Sequence, residues 1–251
     1  MPDLVFEHPR LAQIYDALEP ERPDLDLYEG LVDEFGARAI LDIGCGTGTF
    51  ACRLARRGLE VIAVDPARAS LDVARAKPDA DRVRWLLGDA TTLPTLQIDL
   101  ATMTGNVPQV FITDDEWAAT LGGVRQALRP GGRIAFESRD PTRKAWLEWN
   151  REQSYRRVDI EGVGTVQTWT EVSDSSPGLV TLRTSFDFER DGALLTSISR
   201  LRFRGRDEIT ESLVAAGLAV EEVRDAPDRP GLELVFIARR PAQEVTPPLS
   251  T

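Results

Sequence analysis

The segment Leu41-Asp42-Ile43-Gly44-Cys45-Gly46-Thr47-Gly48-Thr49 concentrates residue types that can hold a ligand against a backbone. Glycine at every second position lets the chain turn sharply and leaves open the space that side chains would otherwise fill. Counted from Gly44, the sixth position is Thr49, where a dinucleotide-binding fingerprint needs glycine, so the phosphate-cradling version of such a loop fits poorly. Two further carboxylates stand where apolar runs end: Asp65 in Val64-Asp65-Pro66 and Asp89 in Gly88-Asp89-Ala90. The competing reading of Asp65 is a helix N-cap ahead of Pro66 at the first helical position, and that of Gly88-Asp89 is a surface turn. Glu137 and Asp140, at the end of a fifth apolar run, join His8 as candidates for a general base. Charged residues at strand ends are also commonly no more than solvated.

An acidic residue followed by three alternating glycines is similar to the first motif of the class I S-adenosylmethionine-dependent methyltransferases, and the order of the later carboxylates resembles that family as well. The resemblance covers Arg38 to Glu137 and, less specifically, the last helix and two strands. It implies that Gly44, Cys45, Gly46 and Gly48 cradle S-adenosyl-L-methionine. Asp42 would lie under the loop, accepting backbone donors or reaching the methionine ammonium. Asp65, with Pro66, would take the two ribose hydroxyls, since a carboxylate accepts two hydrogen bonds at once. Asp89 would accept from the adenine amine, Ala90 would donate through its backbone, and Met103 and Thr104 would complete the cofactor site. A lead-in helix from His8 to Asp16 would bring Tyr15 to the methionine moiety, although an ordinary core tyrosine fits there too.

Asn106 and Gln109, after the fourth strand, and Arg139, after the fifth, are candidates for acceptor binding. Metal-dependent catechol-type relatives carry carboxylates after the fourth strand, and this chain has none between Met103 and Ile112. The expectation is metal-independent transfer. The Asn/Asp-Pro-Pro-aromatic tetrad of DNA methylases is absent as well. Methyl transfer from a sulfonium is an in-line displacement in which alignment and exclusion of water supply most of the rate, and a base is needed only if the nucleophile must lose a proton early. The reading is therefore transfer to a nitrogen or oxygen of a small molecule. A nicotinamide-dependent oxidoreductase, disfavoured by the glycine spacing and by the lack of Tyr-x-x-x-Lys, and a non-catalytic S-adenosylmethionine-binding protein are the alternatives.

Positioning these residues requires strands at Ala39–Ile43, Leu59–Val64, Val83–Leu87, Ile98–Met103 and Arg133–Glu137. Helices at Thr47–Arg57, Ala67–Lys77 and Asp114–Leu128 lie between them. Arg129-Pro130-Gly131-Gly132 reads as a stop that neither helix nor strand crosses. Strict alternation implies an α/β fold, a parallel sheet with helices on both faces, and the resemblance implies that the sheet is Rossmann-like, seven-stranded and mostly parallel, with an antiparallel last strand. Period-two patterning over Thr165–Val172, Leu179–Glu189 and Leu194–Arg204, with breaks at Ser173–Gly178 and Asp191-Gly192, implies an inserted antiparallel β cap. A helix at Asp207–Ala216 ending at Gly217, and strands at Leu218–Val223 and Glu233–Ala238, complete the core. The expected organisation is a helical lid (1–37), a cofactor core (38–140), the cap (141–206), completion of the core (207–240) and a disordered tail (241–251).

With 30 Lys plus Arg against 41 Asp plus Glu in 251 residues, the net charge of −11 argues against a nucleic-acid partner. At 42% hydrophobic the chain can bury a core, and no apolar run approaches the roughly 20 residues of a membrane span. The opening MPDLVFEHPR lacks the order of a signal peptide, and Cys45 and Cys52 are too close in sequence for an unstrained disulfide, so a cytoplasmic location is expected. One histidine and two cysteines assemble no usual zinc site. A homodimer stays open. The segment Arg139 to Arg206 carries 12 Arg plus Lys against 10 acids, so the cap is suited to an anionic acceptor with Arg157, Arg183 or Arg202 as anchors. Those arginines could equally balance neighbouring acids. Trp169 could stack on a flat or sugar-like acceptor or pack between cap and core.

Overall fold

A computed structural model describes residues 2–242. The disordered tail expected over 241–251 lies, from 243 onward, outside the described residues. The chain runs α1 (Leu4–Glu7), α2 (Pro9–Leu18), α3 (Asp24–Glu34), β1 (Ala39–Ile43), α4 (Thr49–Arg56), β2 (Glu60–Asp65), α5 (Arg68–Arg75), β3 (Val83–Leu87), β4 (Ile98–Met103), α6 (Asp114–Ala127) and β5 (Leu128–Arg139). It continues through α7 (Arg151–Ser154), β6 (Arg156–Ile160), β7 (Gly164–Ser176), β8 (Leu179–Phe188), β9 (Ala193–Arg202), α8 (Arg206–Ala215), β10 (Ala219–Asp225) and β11 (Glu233–Arg239).

Seven strands form one sheet in the order β10-β11-β5-β4-β1-β2-β3, parallel except for β11, which runs antiparallel to both of its neighbours. Alternate side chains of these strands feed two cores, as a period of two requires. Leu41, Ile43, Ile62, Val64 and Met103 meet α6 and α8 through Trp117, Leu121 and Leu213. Ile40, Val61, Ala63 and Leu100 meet α3 and α4 through Leu25, Tyr28, Phe50 and Leu54. The α8 terminus is a Schellman motif: Gly217, at φ 76°, donates to Val214 O, and Leu218 donates to Leu213 O.

The expected stop at Arg129-Pro130-Gly131-Gly132 is corrected, because β5 runs through it. Ile98 pairs with Leu128 and Leu100 with Arg133, so the four residues bulge out of a strand whose pairing resumes on the far side. Gly131 N–H, which faces away from β4, is satisfied by Arg240 O. In the insertion, β7 continues to Ser176 through the stretch read as a turn, leaving Pro177-Gly178 as the reversal. The meander also gains a fourth strand, β6, which pairs antiparallel with β7 to give the order β6-β7-β8-β9. Of the expected lid, α1 and α2 face this second sheet, where Leu11, Ile14 and Leu18 pack on Ile160, Val166, Phe186 and Phe188. Helix α3 instead covers a face of the main sheet. No described helix is long and apolar enough to cross a membrane.

Two adjacent glycines of α6 make opposite demands. A Cβ on Gly122 meets nothing within 4 Å, whereas one on Gly123 collides with the Ala90 carbonyl. Gly122→Ala should raise stability by up to ~1 kcal/mol through helix propensity. Gly123→Ala should lower it by about 1–3 kcal/mol through overpacking against backbone. Thermal melts of the two variants check this, and equal effects would contradict it.

Candidate functional site

The carboxyl ends of β1, β2, β3 and β4 open into a cavity of about 770 Å³, in the upper part of the roughly 300–1,000 Å³ range of small-molecule sites. Its floor is the glycine loop. Gly44, Gly46 and Gly48 have φ of 68°, 53° and 76°, the left-handed region that disfavours side chains. Their reasons differ. A Cβ on Gly44 would sit 2.6 Å from Val107 Cγ2, and one on Gly48 would strike Trp85, whereas one on Gly46 would point into open space.

Asp65, the last residue of β2, secures this loop. Its Oδ2 accepts from Gly46 N–H and its Oδ1 from Ala67 N–H, both at 2.8 Å. Helix α5 begins only at Arg68, with Ala67 at the cap position, so Asp65 is not the N-cap and Pro66 is not its first residue. Burial raises the Asp65 pKa and the two backbone donors oppose the rise. Asp42 is buried beneath the loop on β1. Its Oδ1 accepts from Thr102 Oγ1 at 3.3 Å rather than from backbone donors, its Oδ2 has no partner, and burial pushes its pKa up to about 7.

Of the other residues expected to hold a cofactor, Tyr15, Gly44, Cys45, Gly46, Pro66, Asp89 and Thr104 line the cavity with Asp65. Asp89 is also a turn residue, accepting from Thr91 N and Oγ1 at 2.8 and 2.6 Å. Gly48, Ala90 and Met103 do not line it: Gly48 packs against Trp85, and Ala90 and Met103 belong to the core under α6. Both cysteines are free thiols.

The residues considered for acceptor binding and base catalysis lie elsewhere. His8 caps α2, its Nδ1 accepting from Arg10 N at 3.3 Å, and Asp140 caps the following turn by accepting from Thr142 N and Oγ1. Asn106, at φ 61°, turns into the protein, where Glu137 Oε1 accepts its backbone N–H at 2.6 Å and Glu233 accepts from its Nδ2 at 3.1 Å. Arg139 donates to Gln109 Oε1 at 2.7 Å. Asn106, Gln109, Glu137, Arg139 and Glu233 thus form a polar network behind the cavity wall, with Glu137 Oε2, Asn106 Oδ1 and Gln109 Nε2 left without partners. Burial, reinforced by Glu233, pushes the Glu137 pKa up to about 8. On the cap, Arg157, Arg183 and Arg202 pair with Glu189, Glu171 and Glu208. Trp169 is covered by Arg151 and donates to Glu171. None of these four residues lines the cavity.

Several lining residues carry no motif. Phe6 and Arg22 come from the lid, Val107, Val110 and Phe111 from the loop after β4, and Ile198 and Arg200 from β9. The only sequence signal for the last two is their period-two spacing on a strand. The lid is fastened to the glycine loop by Asp16, which accepts from Thr47 Oγ1 and pairs with Lys77 Nζ, each at 2.6 Å. The cap is fastened by buried Arg204, donating to Phe111 O and Thr113 O. Among the described residues no group of three or more His, Cys, Asp or Glu is arranged to hold a metal ion.

Residues 40–132 match the methyltransferase domain family. The cypemycin N-terminal methyltransferase of Streptomyces sp is 36% identical over 107 residues, covering 41% of this chain and 43% of that protein. The chain spans about half, or less, of the length of the curated relatives it matches. The fold is similar to that of an S-adenosylmethionine-dependent methyltransferase from Clostridium acetobutylicum, with a TM-score of 0.75, 20% identity and coverage of 93% of this chain and 98% of that one. It is equally similar to a sugar N-methyltransferase from Streptoalloteichus sp, with a TM-score of 0.75, 19% identity and coverage of 90% and 92%.

Glu137 and Asp42 also shape stability against pH. Their folded pKa values, about 8 and about 7, lie above the ordinary 4.5 and 3.8, so the folded chain keeps protons that the unfolded chain releases. The stability this contributes is complete below about pH 4 and is lost as pH rises through 7 to 8. Each group tilts the curve by up to ~1.4 kcal/mol per pH unit. Glu137→Gln should flatten the decline between pH 6 and 8, as read from urea unfolding at both values; an unchanged slope would contradict the assignment.

Proposed function

Because the chain carries a methyltransferase domain on the class I methyltransferase fold, we propose that it transfers a methyl group from S-adenosyl-L-methionine to a nitrogen or oxygen of a small-molecule acceptor, without a metal ion. The observation that carries this reading is the cradle at Gly46. Apart from Gly46 itself and its two chain neighbours, nothing lies within 4 Å of the position its Cβ would take, and Asp65 pins the loop so that this space stays open to the cavity. Beneath the loop the orphaned Asp42 Oδ2 is an unsatisfied group suited to a polar, cationic ligand or a water that it holds. When bound, the cofactor supplies an activated methyl group, so the protein's part is alignment and exclusion of water.

The division of labour follows from the placement of side chains. Asp65 and Asp89, at the ends of β2 and β3, face the cavity with lone pairs left for hydroxyl or amine donors. Tyr15 and Phe6, whose ring centroids lie 5.7 Å apart, bring an aromatic wall from the lid. Glu137 acts one step removed: by accepting the Asn106 N–H it holds the turn that carries Thr104 and Gly105 to the cavity, a positioning role. The likeness to a sugar N-methyltransferase supports a polar small molecule as acceptor.

Isothermal titration with S-adenosylhomocysteine and with NADH tests the reading. Saturable binding of the first and none of the second is expected, and the opposite pattern would sink the proposal. Gly46→Val should abolish S-adenosylhomocysteine binding while the protein stays folded; retention within about threefold, less than about 0.7 kcal/mol, would remove the loop from the site. Asp65→Ala should weaken binding by about 1–3 kcal/mol, the range for a lost charge-assisted hydrogen bond. It should also lower the melting temperature, because Gly46 and Ala67 lose their acceptor.

A further inference from the structure

Six charged side chains line the cavity, and five are already engaged by the protein. Asp3 faces the Ser199 hydroxyl, and Arg22 is bonded to Asp24, Asp65 to Gly46 and Ala67, Asp89 to Thr91, and Glu116 to Thr113 N–H. The sixth, Arg200, has no carboxylate within 4.0 Å and no hydrogen-bond acceptor among the described residues, and it is exposed. Arg202, at the end of the same strand, and Arg204, just beyond it, are both paired.

The alternation of β9 explains how Arg200 comes to face the cavity. Ser197 and Ser199 point to the lid, where Ser197 Oγ accepts Val5 N–H at 2.9 Å and Ser199 faces Asp3. Ile198 and Arg200 therefore share the opposite face. Strand β9 packs along the short helix Val107–Val110. Ile198 is 50% exposed and Val110 45% exposed, two apolar side chains bared on a cavity wall rather than scattered over the surface. An unpaired guanidinium beside bared aliphatic side chains matches a ligand with an apolar body and an oxyanion at its end, because guanidinium pairs bidentately with carboxylate or phosphate.

We infer that Arg200, flanked by Ile198 and Val110, seats the carboxylate or phosphate end of an amphipathic acceptor. This rests on the methyl-transfer reading, since the occupant is taken to be the acceptor. It moves the anionic contact from Arg157, Arg183 and Arg202, which salt bridges hold elsewhere, to an arginine that the cap delivers to the cavity with its donors free.

The test uses the full chain saturated with S-adenosylhomocysteine and four probes of equal chain length: hexyl phosphate, hexanoate, hexanol and hexylamine. Calorimetry should show the two oxyanions binding at least tenfold more tightly than the alcohol and the amine. Arg200→Met should remove that preference, weakening hexyl phosphate at least tenfold, about 1.4 kcal/mol. Arg200→Lys should retain part of it, and S-adenosylhomocysteine affinity should stay within twofold in both variants. Equal binding of all four probes, or an Arg200→Met variant that still prefers oxyanions, would overturn the inference and leave the methyl-transfer reading standing. Failure of S-adenosylhomocysteine to bind the unaltered chain would instead overturn that reading, and the inference with it.

Discussion

One carboxylate at the end of β2 organises the site. Asp65 takes the N–H of Gly46 on one oxygen and that of Ala67 on the other, tying the β1–α4 loop to the start of the next connection. Glycines at positive φ are free to adopt many conformations, and without such an anchor the loop would lose its shape at little cost. The anchor is itself buried, which raises its pKa, and the two backbone donors that face it oppose the rise. The open space at Gly46 and the approach of Gly44 to Val107 both depend on this loop geometry.

Around that point the molecule is assembled from two sheets with different work. The main sheet delivers strand ends to one edge, as parallel βα units do, and buries its own faces under α3, α4, α6 and α8. The second sheet gives one face to α2 and sends Ile198 and Arg200 from the other to the cavity. Lid and cap are tied both to each other and to the core. Arg10 pairs with Asp191 and Arg156 with Glu19, while Asp16 and Arg204 make the links to the glycine loop and to the loop after β4. The cavity is therefore walled, beyond the glycine loop, by three segments distant in sequence.

The network behind the wall shows why residue type at a strand end is a poor guide to role. Glu137, Asn106, Gln109 and Arg139 have the chemistry of an acceptor site, yet the left-handed turn at Asn106 points its amide inward, towards Glu233. Once inside, these groups must bond one another, and the raised pKa of Glu137 comes from its burial and from the nearby Glu233 rather than from contact with the cavity.

What the sequence by itself determined were features with a local physical cause. The period-two and helical patterns place β1, β3 and β4 with the bounds found in the structure, and the alternating glycines, Asp65 and Asp89 mark the cavity floor because backbone conformation and strand ends are written in adjacent residues. Helix α3 and strand β6 escaped that reading. So did the passage of β5 through Pro130-Gly131, because a bulge is stabilised by partners such as Arg240 O that no local pattern names. Which arginine of the cap faces the cavity with no acidic partner was decided only by tertiary structure. Arg157, Arg183 and Arg200 stand alike on alternating strands, and the packing of β9 against the loop after β4, with the positions of Glu171 and Glu189, sends one to the cavity and the others to salt bridges.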